Sequence, residues 1–442
     1  MSKFIVKKTN FLQIFAFFQI VILLVYFFLN ISNVGELGVG IPLLAFFLSC
    51  SIFVFLTDIV KFQLRVSFHF FAVIAFILWL TVKVILDLND IYYLKQVTIA
   101  TTGGILIFFI TGMFARRLIE LFLSNQLMLK FLLLIFMLLC FYVFSEYSSR
   151  LIRTDLFYID DVDGGYQRPG NFLIIVFIIC SFIFLNIVSN VSFKRIINFI
   201  IYLIIYSFGF VVALVSSQMI GSNAATINLI AIYLLTLVVG LLGSNNNLRE
   251  KFFSSGLSFP FSKKGFLYIF KYSTISLFFL LLFTYFIVLK SNFDLSTTRI
   301  FGFGSGSNSS LNTRAEIFRE YGVQQLGYSP FFGDLNVAKI ITGDSGKTLH
   351  NLIPNIMAEL GVIGLLIFLL ILFLIFKNLF YNMHFYSYLK KNFTFVILNF
   401  WLLWVLVFLF LYSNISVGKS WPVIWFYFGF VISVFRTNEV SR

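Results

Sequence analysis

Between residues 347 and 366 the chain reads KTLHNLIPNIMAELGVIGLL, and four side chains there could do chemistry: His350, Asn351, Asn355 and Glu359. The last three recur at i, i+4 and i+8, so a helix stacks them on one face. His350 stands just ahead of that helix. Its imidazole titrates near neutrality and suits general base work. A helix N-terminus also presents unpaired N–H groups that favour anions. The apolar run that follows reads as a membrane span, where an ionisable residue is costly and marks a candidate site. A lone interfacial histidine is more often a polar anchor. The Asn–Asn–Glu stripe beside this one favours a catalytic or substrate-contacting role.

The stretch before it, about 291–351, is the longest soluble segment of the chain. FGFGSGSNSS at 301–310 has the composition of a flexible linker. In NTRAEIFREYG, Thr313 and Glu316 form a capping box and Gly322 supplies a stop, so a short amphipathic helix is expected over 314–321. Arg314, Ile317, Phe318 and Tyr321 share its apolar face, whereas Arg319 lies within i−3 reach of Glu316 and reads as a surface pair. A cation on a buried face needs an anion. For Arg314 the candidates are a distant acid such as Glu359 or a substrate phosphate, which the planar guanidinium binds through two oxygens. Arg299 is a second candidate in the same loop. GDSGKT at 343–348 has the end of a P-loop, but Ile341 occupies the position of its first glycine and no strand precedes it, so nucleotide binding is not expected. Gly361 and Gly364, three apart, predict close helix packing.

These residues sit in a chain that is 60% hydrophobic and 11% charged, with a mean hydropathy of +0.98. Soluble domains carry about a quarter charged residues, so the expected class is all-α and polytopic in a membrane. Twelve apolar runs of spanning length are centred near 11–29, 41–60, 66–85, 98–114, 128–145, 171–190, 197–216, 224–242, 273–290, 352–376, 393–413 and 421–436. The organisation is then nine spans over 1–290, a large external loop with short helices over 291–351, and three spans over 352–442. With the N-terminus inside, the segments 1–10, 58–65, 115–130, 191–196, 243–272, 377–392 and 436–442 hold 20 Lys and Arg against 4 Asp and Glu. That asymmetry predicts cytoplasmic termini and places 146–170 and 291–351 outside. The net charge of +14 therefore reflects topology, and nothing reads as a nucleic-acid-binding module. Most of the 63 Phe residues read as lipid-facing or packing residues. Cys50, Cys140 and Cys180 each lie in apolar runs, and no His, Cys or Asp group has metal-ligand spacing. Asp160, Asp161, Asp163 and Gly164 form a partial calcium-loop pattern and read as a solvated turn.

The downstream third resembles the superfamily of O-antigen ligases and O-antigen polymerases, bacterial surface-glycan enzymes. The matching residues are Arg314 in a short outer helix, the turn Pro330–Phe331–Phe332–Gly333, then His350–Asn351, and Glu359, Gly361 and Gly364 at the head of the next span. Members often carry a Ser-Arg pair in the outer turn between the middle spans. Here that turn is SSQMIGSNA, with Ser217 and Gln218 in its place.

The resemblance implies a GT-C-like fold in the bacterial inner membrane, with the site facing the periplasm. It implies an inverting, metal- and nucleotide-independent glycosyltransferase that needs no cofactor. Its partners would be a polyprenyl-pyrophosphate-linked oligosaccharide, membrane lipid and a chain-length regulator protein. His350 and Arg314 would be catalytic. Arg299, Asn351, Asn355, Glu359 and Gln218 would contact substrate. Three functions stay open: a polymerase joining lipid-linked repeat units, a ligase moving finished glycan to a lipid A core or protein, and a flippase or other transporter. Few charges lie deep in the spans, which disfavours transport.

Overall fold

The computed structural model describes residues 11–31, 47, 49, 68–87, 92–122, 126–148, 167–190, 196–219, 222–244, 310–389 and 393–432. The regular structure among these residues is helical, with no strand. The helices are α1 (Phe11–Ile31), α2 (Phe68–Asp87), α3 (Tyr92–Phe122), α4 (Gln126–Ser148), α5 (Gln167–Asn190), α6 (Ile196–Met219) and α7 (Asn223–Ser244). After an undescribed stretch follow α8 (Ser310–Tyr328), α9 (Val337–Thr342), α10 (Leu352–Leu389), α11 (Phe393–Ser416) and α12 (Pro422–Ile432). Seven of them are long and apolar enough to cross a bilayer: α2, α3, α5, α6, α7, α10 and α11. The chain is a multi-pass membrane protein. Three further expected spans, those near 11–29, 128–145 and 421–436, appear as shorter apolar helices. The runs at 41–60 and 273–290, most of the 146–170 and 243–272 loops, the Asp160 turn, both chain ends and Arg299 lie outside the described residues.

Leu, Ile, Val and Phe runs without Pro favour helix in lipid because every backbone polar group must be satisfied within the segment. α5 is buried along almost its whole length and packs on α7, α1, α4 and α11. α12 is equally enclosed and lies against α3. Polar side chains inside the bundle close on one another: Ser181 with Tyr206 at 2.6 Å, Ser207 with Tyr233 at 2.7 Å, and Trp401 Nε1 donating to Thr236 at 2.9 Å. Unpaired, each would be expensive in hydrocarbon.

The segment 115–130, expected as a cytoplasmic loop, begins inside α3. Arg116 is buried there and donates to the carbonyls of Phe430 (3.1 Å) and Val431 (3.3 Å) at the end of α12. A cation on the last carbonyls of a helix satisfies orphan acceptors and the negative end of its dipole. α8 also runs longer than the expected 314–321. Thr313 and Glu316 fall inside it rather than capping it, and it continues through Gly322 to Tyr328. A mid-helix glycine costs about 1 kcal/mol relative to alanine. Here it is buried, and a Cβ would meet the Phe318 ring one turn earlier at 3.4 Å. α8 ends at the turn containing Pro330, which cannot extend a helix.

The largest departure is in α10, expected over 352–376. It extends to Leu389 but is broken at Gly361 (φ 67°, ψ −173°). The turn Pro330–Gly333 fills the break. Val362 N donates to Pro330 O at 2.9 Å, Ile363 N to Phe331 O at 3.4 Å, and Asp334 N to Ala358 O at 3.1 Å. Two half-helix ends that would otherwise be orphaned inside a span are thereby satisfied. Gly361 therefore serves a backbone break, not the helix packing expected of it. Gly364 does the packing, since a Cβ there would meet the Trp79 ring at 3.3 Å.

Candidate functional site

The inserted turn is anchored on α2. Lys83 Nζ donates to Gly333 O at 2.9 Å and pairs with Asp87 at 2.8 Å. Asp87 accepts from Leu335 N at 3.0 Å and, through its backbone carbonyl, from Asn336 Nδ2 at 2.6 Å. Trp79 Nε1 donates to Leu360 O at 3.0 Å, one residue before the break. Burial raises the Asp334 carboxyl above its usual range. From this anchor the chain forms α9, which ends on Gly343 in the left-handed region (φ 74°). Asp344 then caps a 3-10 turn over Ser345–Lys347 by accepting from Gly346 N at 2.8 Å. GDSGKT is thus a helix stop and a capped turn. The Lys347 ammonium lies 5.5 Å from the centre of the Tyr321 ring.

Gln325 of α8 donates to Lys347 O at 3.0 Å, which fixes the turn beneath α8. His350 and Asn351 follow at the mouth of α10, both half-buried. Arg314 is half-buried on the side of α8 shared with Ile317 and Tyr321, while Arg319 is exposed. Phe318, assigned to the buried face, is 42% exposed. The structure brings Arg314 and His350 together. Burial, and then the nearby Arg314 charge, hold the His350 imidazole below its usual 6.5. At neutral pH His350 is therefore an uncharged base beside a fixed cation.

Two members of the stripe, Asn355 and Glu359, meet as spaced, whereas Asn351 stands just ahead of α10, and the partner of Glu359 differs from the one expected. Asn355 Nδ2 donates to Glu359 Oε1 at 2.6 Å, as the i, i+4 spacing predicts. Thr348 Oγ1 donates to the same oxygen at 2.8 Å. Glu359 Oε2 is bound by the ammonium of Lys419, with the two side chains in direct contact. Lys419 thus takes the place in which Arg314 was considered. Burial pulls the Lys419 ammonium below its ordinary value, while the Glu359 carboxylate in direct contact favours the charged form and opposes that pull. Lys419 lies in the turn between α11 and α12, which the sequence reading passed over. Its backbone N donates to Asn355 Oδ1 at 3.1 Å, and its carbonyl accepts from Trp425 Nε1 at 2.6 Å. Asn414, at the end of α11, accepts from Ile353 N at 3.0 Å and so caps α10. The available signal was a lone lysine between two spans, in NISVGKSWP, facing a span that carries a lone glutamate.

Gln218 falls elsewhere. It is buried at the end of α6, where its amide contacts Thr226 of α7, and Ser217 shares that hydroxyl at 2.6 Å. There it closes the α6–α7 turn. Three donors of this chain occupy the Glu359 carboxylate, and the Asn355 amide is bonded through both its oxygen and its nitrogen. His350 and Asn351 lie at the N-terminal mouth of α10, with Arg314 of α8 close enough for its charge to act on His350. No protein-family model, curated protein or solved structure matches the chain.

Proposed function

We propose that the chain is a surface-polysaccharide polymerase. It would span the bacterial inner membrane twelve times and transfer glycan from polyprenyl pyrophosphate to the acceptor sugar of another lipid-linked repeat unit on the periplasmic side. The observation that carries this reading is the juxtaposition of Arg314 and a neutral, half-buried His350 at the N-terminal end of a broken apolar helix. In the proposed step an acceptor hydroxyl attacks the anomeric carbon. His350 takes the hydroxyl proton as the C–O bond to the pyrophosphate breaks. The leaving pyrophosphate carries away the bonding pair, and Arg314 stabilises its charge through two oxygens. Inversion follows from a single displacement. Asn351 supplies an amide at the same mouth for a sugar hydroxyl or phosphate oxygen. Asn355 and Glu359 hold the loop in place instead of touching substrate.

One observation favours a second reading, a carrier for the same lipid-linked glycan. Helices broken in mid-membrane and buried ion pairs are features of transporters. Against it, the break at Gly361 is filled by this chain's own turn, and Glu359 is held by three of the chain's own donors. Gene deletion separates the readings. Surface glycan reduced to single repeats supports the polymerase. Loss of all attached glycan with polymer still made means a ligase. Lipid-linked units trapped on the cytoplasmic face mean a carrier.

A further inference from the structure

The α11–α12 turn grips the chain around His350 from two directions, although it lies more than sixty residues downstream. Asn414 fixes the first turn of α10 at Ile353. Lys419 fixes the next two turns through Asn355 and Glu359. Glu359 in turn holds Thr348, two residues before His350, and Asn355 Nδ2 also lies 3.1 Å from the Thr348 hydroxyl. Thr348 is therefore bound from two side chains that Lys419 itself orders. Lys419 is 8% exposed and is fixed at its ammonium, its backbone N–H and its carbonyl. A cation so enclosed is poorly placed to meet a bulky ligand. It is well placed to fix a loop.

We propose that Lys419 is a positioning residue for His350, acting through the Glu359 carboxylate and the Thr348 hydroxyl. The catalytic consequence rests on His350 being the base of the proposed transfer, but the positioning can be read without any transfer. The charged groups around the loop are Arg314 of α8, Asp344 and Lys347 of the 3-10 turn, Glu359 of α10 and Lys419. Arg314 is the one whose charge acts on His350. If the Thr348 tether is released, the loop moves toward water and away from Arg314. Both causes of the low His350 pKa then weaken, and the imidazole returns toward its ordinary value near 6.5.

The test uses the full-length protein with His69→Gln and His384→Gln, so that His350 is the remaining histidine. Carbethoxylation by diethyl pyrocarbonate is followed against pH by mass spectrometry. The parent should titrate clearly below 6.5. Lys419→Met should move the midpoint up toward 6.5 and speed modification at high pH. Lys419→Arg, which keeps the charge, should stay near the parent. Thr348→Val cuts the tether while leaving the ion pair, and should give the same upward shift even if Lys419→Met does not fold. In a transfer assay Lys419→Met should lower kcat by up to about 10²-fold, the scale of an ångström-sized misplacement, with the KM for lipid-linked donor unchanged. A folded Lys419→Met or Thr348→Val protein with the parent's His350 midpoint overturns the proposal. A shifted midpoint in a protein that transfers no glycan leaves the positioning intact and removes the polymerase reading instead.

Discussion

His350 can accept a proton only as the neutral imidazole, and its surroundings keep it neutral. Its pKa lies below 6.5 because burial and Arg314 both disfavour the cation. The sign follows directly. The rate should be flat from pH 8 down to about 6.5 and should fall only below that. A rate already halved above pH 6.5 would contradict the assignment. His350→Ala should slow transfer by about 10²–10⁴-fold, the usual contribution of such a group. Arg314→Ala and Arg314→Lys should both abolish polymer while the protein remains in the membrane, because an ammonium cannot reproduce the two-oxygen fork. Arg319 is exposed, and Arg319→Ala should change stability by no more than about 1 kcal/mol. Glu359 and Lys419 behave as a unit. Removing one partner of a buried pair costs about 3–5 kcal/mol, whereas replacing both is often near neutral. Glu359→Gln and Lys419→Met should each lower the thermal transition, and the double variant should recover much of the loss. Additive losses in that double-mutant cycle would show that the pair is uncoupled.

At the scale of elements, the break in α10 is the device that brings the Pro330–Gly333 turn into the helix bundle. Gly333 (φ 70°) and Gly361 (φ 67°) face each other across it, both in the left-handed region. An alanine at either position carries a backbone penalty of about 1–2 kcal/mol, and its Cβ would collide with the opposite backbone. Gly361→Ala and Gly333→Ala should therefore lower the thermal transition measurably. Gly343→Ala shares the backbone penalty but has open space around it, so its loss should be smaller. Equal losses at all three would mean that the interlocked turn adds nothing. Seven of the expected spans were legible in the sequence, because long apolar runs leave lipid-embedded backbone little alternative to helix. So was the Asn355–Glu359 contact, which depends only on helical period. The break was not, since Gly361 and Gly364 at i, i+3 fit close packing equally well. Its cause lies thirty residues upstream, in carbonyls of the Pro330 turn. The length of α8 was misread for a related reason: a capping-box pattern and a glycine carry stop signals that tertiary packing overrode. Lys419 was missed because its partner is brought to it by the bundle.

At the scale of the molecule, charge asymmetry and the described helices make one topology. α8 and the mouth of α10 should lie outside, and the far end of α10 inside. In a variant with Cys50, Cys140 and Cys180 replaced, Val323→Cys (native Val323 is 84% exposed) should react with an impermeant thiol reagent added from the periplasmic side. Tyr381→Cys should react only after the membrane is opened. The reverse pattern would invert the molecule and put His350 beyond reach of a periplasmic acceptor.

The most direct test of the central claim is the reaction itself. Lipid-linked repeat units extracted from a strain lacking this gene are supplied to the purified protein in lipid vesicles, alongside His350→Ala. The wild-type protein should release polyprenyl pyrophosphate and build a ladder of lengthening glycan, and His350→Ala should leave single repeats. A folded wild-type protein that leaves the units unjoined, or a His350→Ala protein that builds the ladder at the wild-type rate, would contradict it.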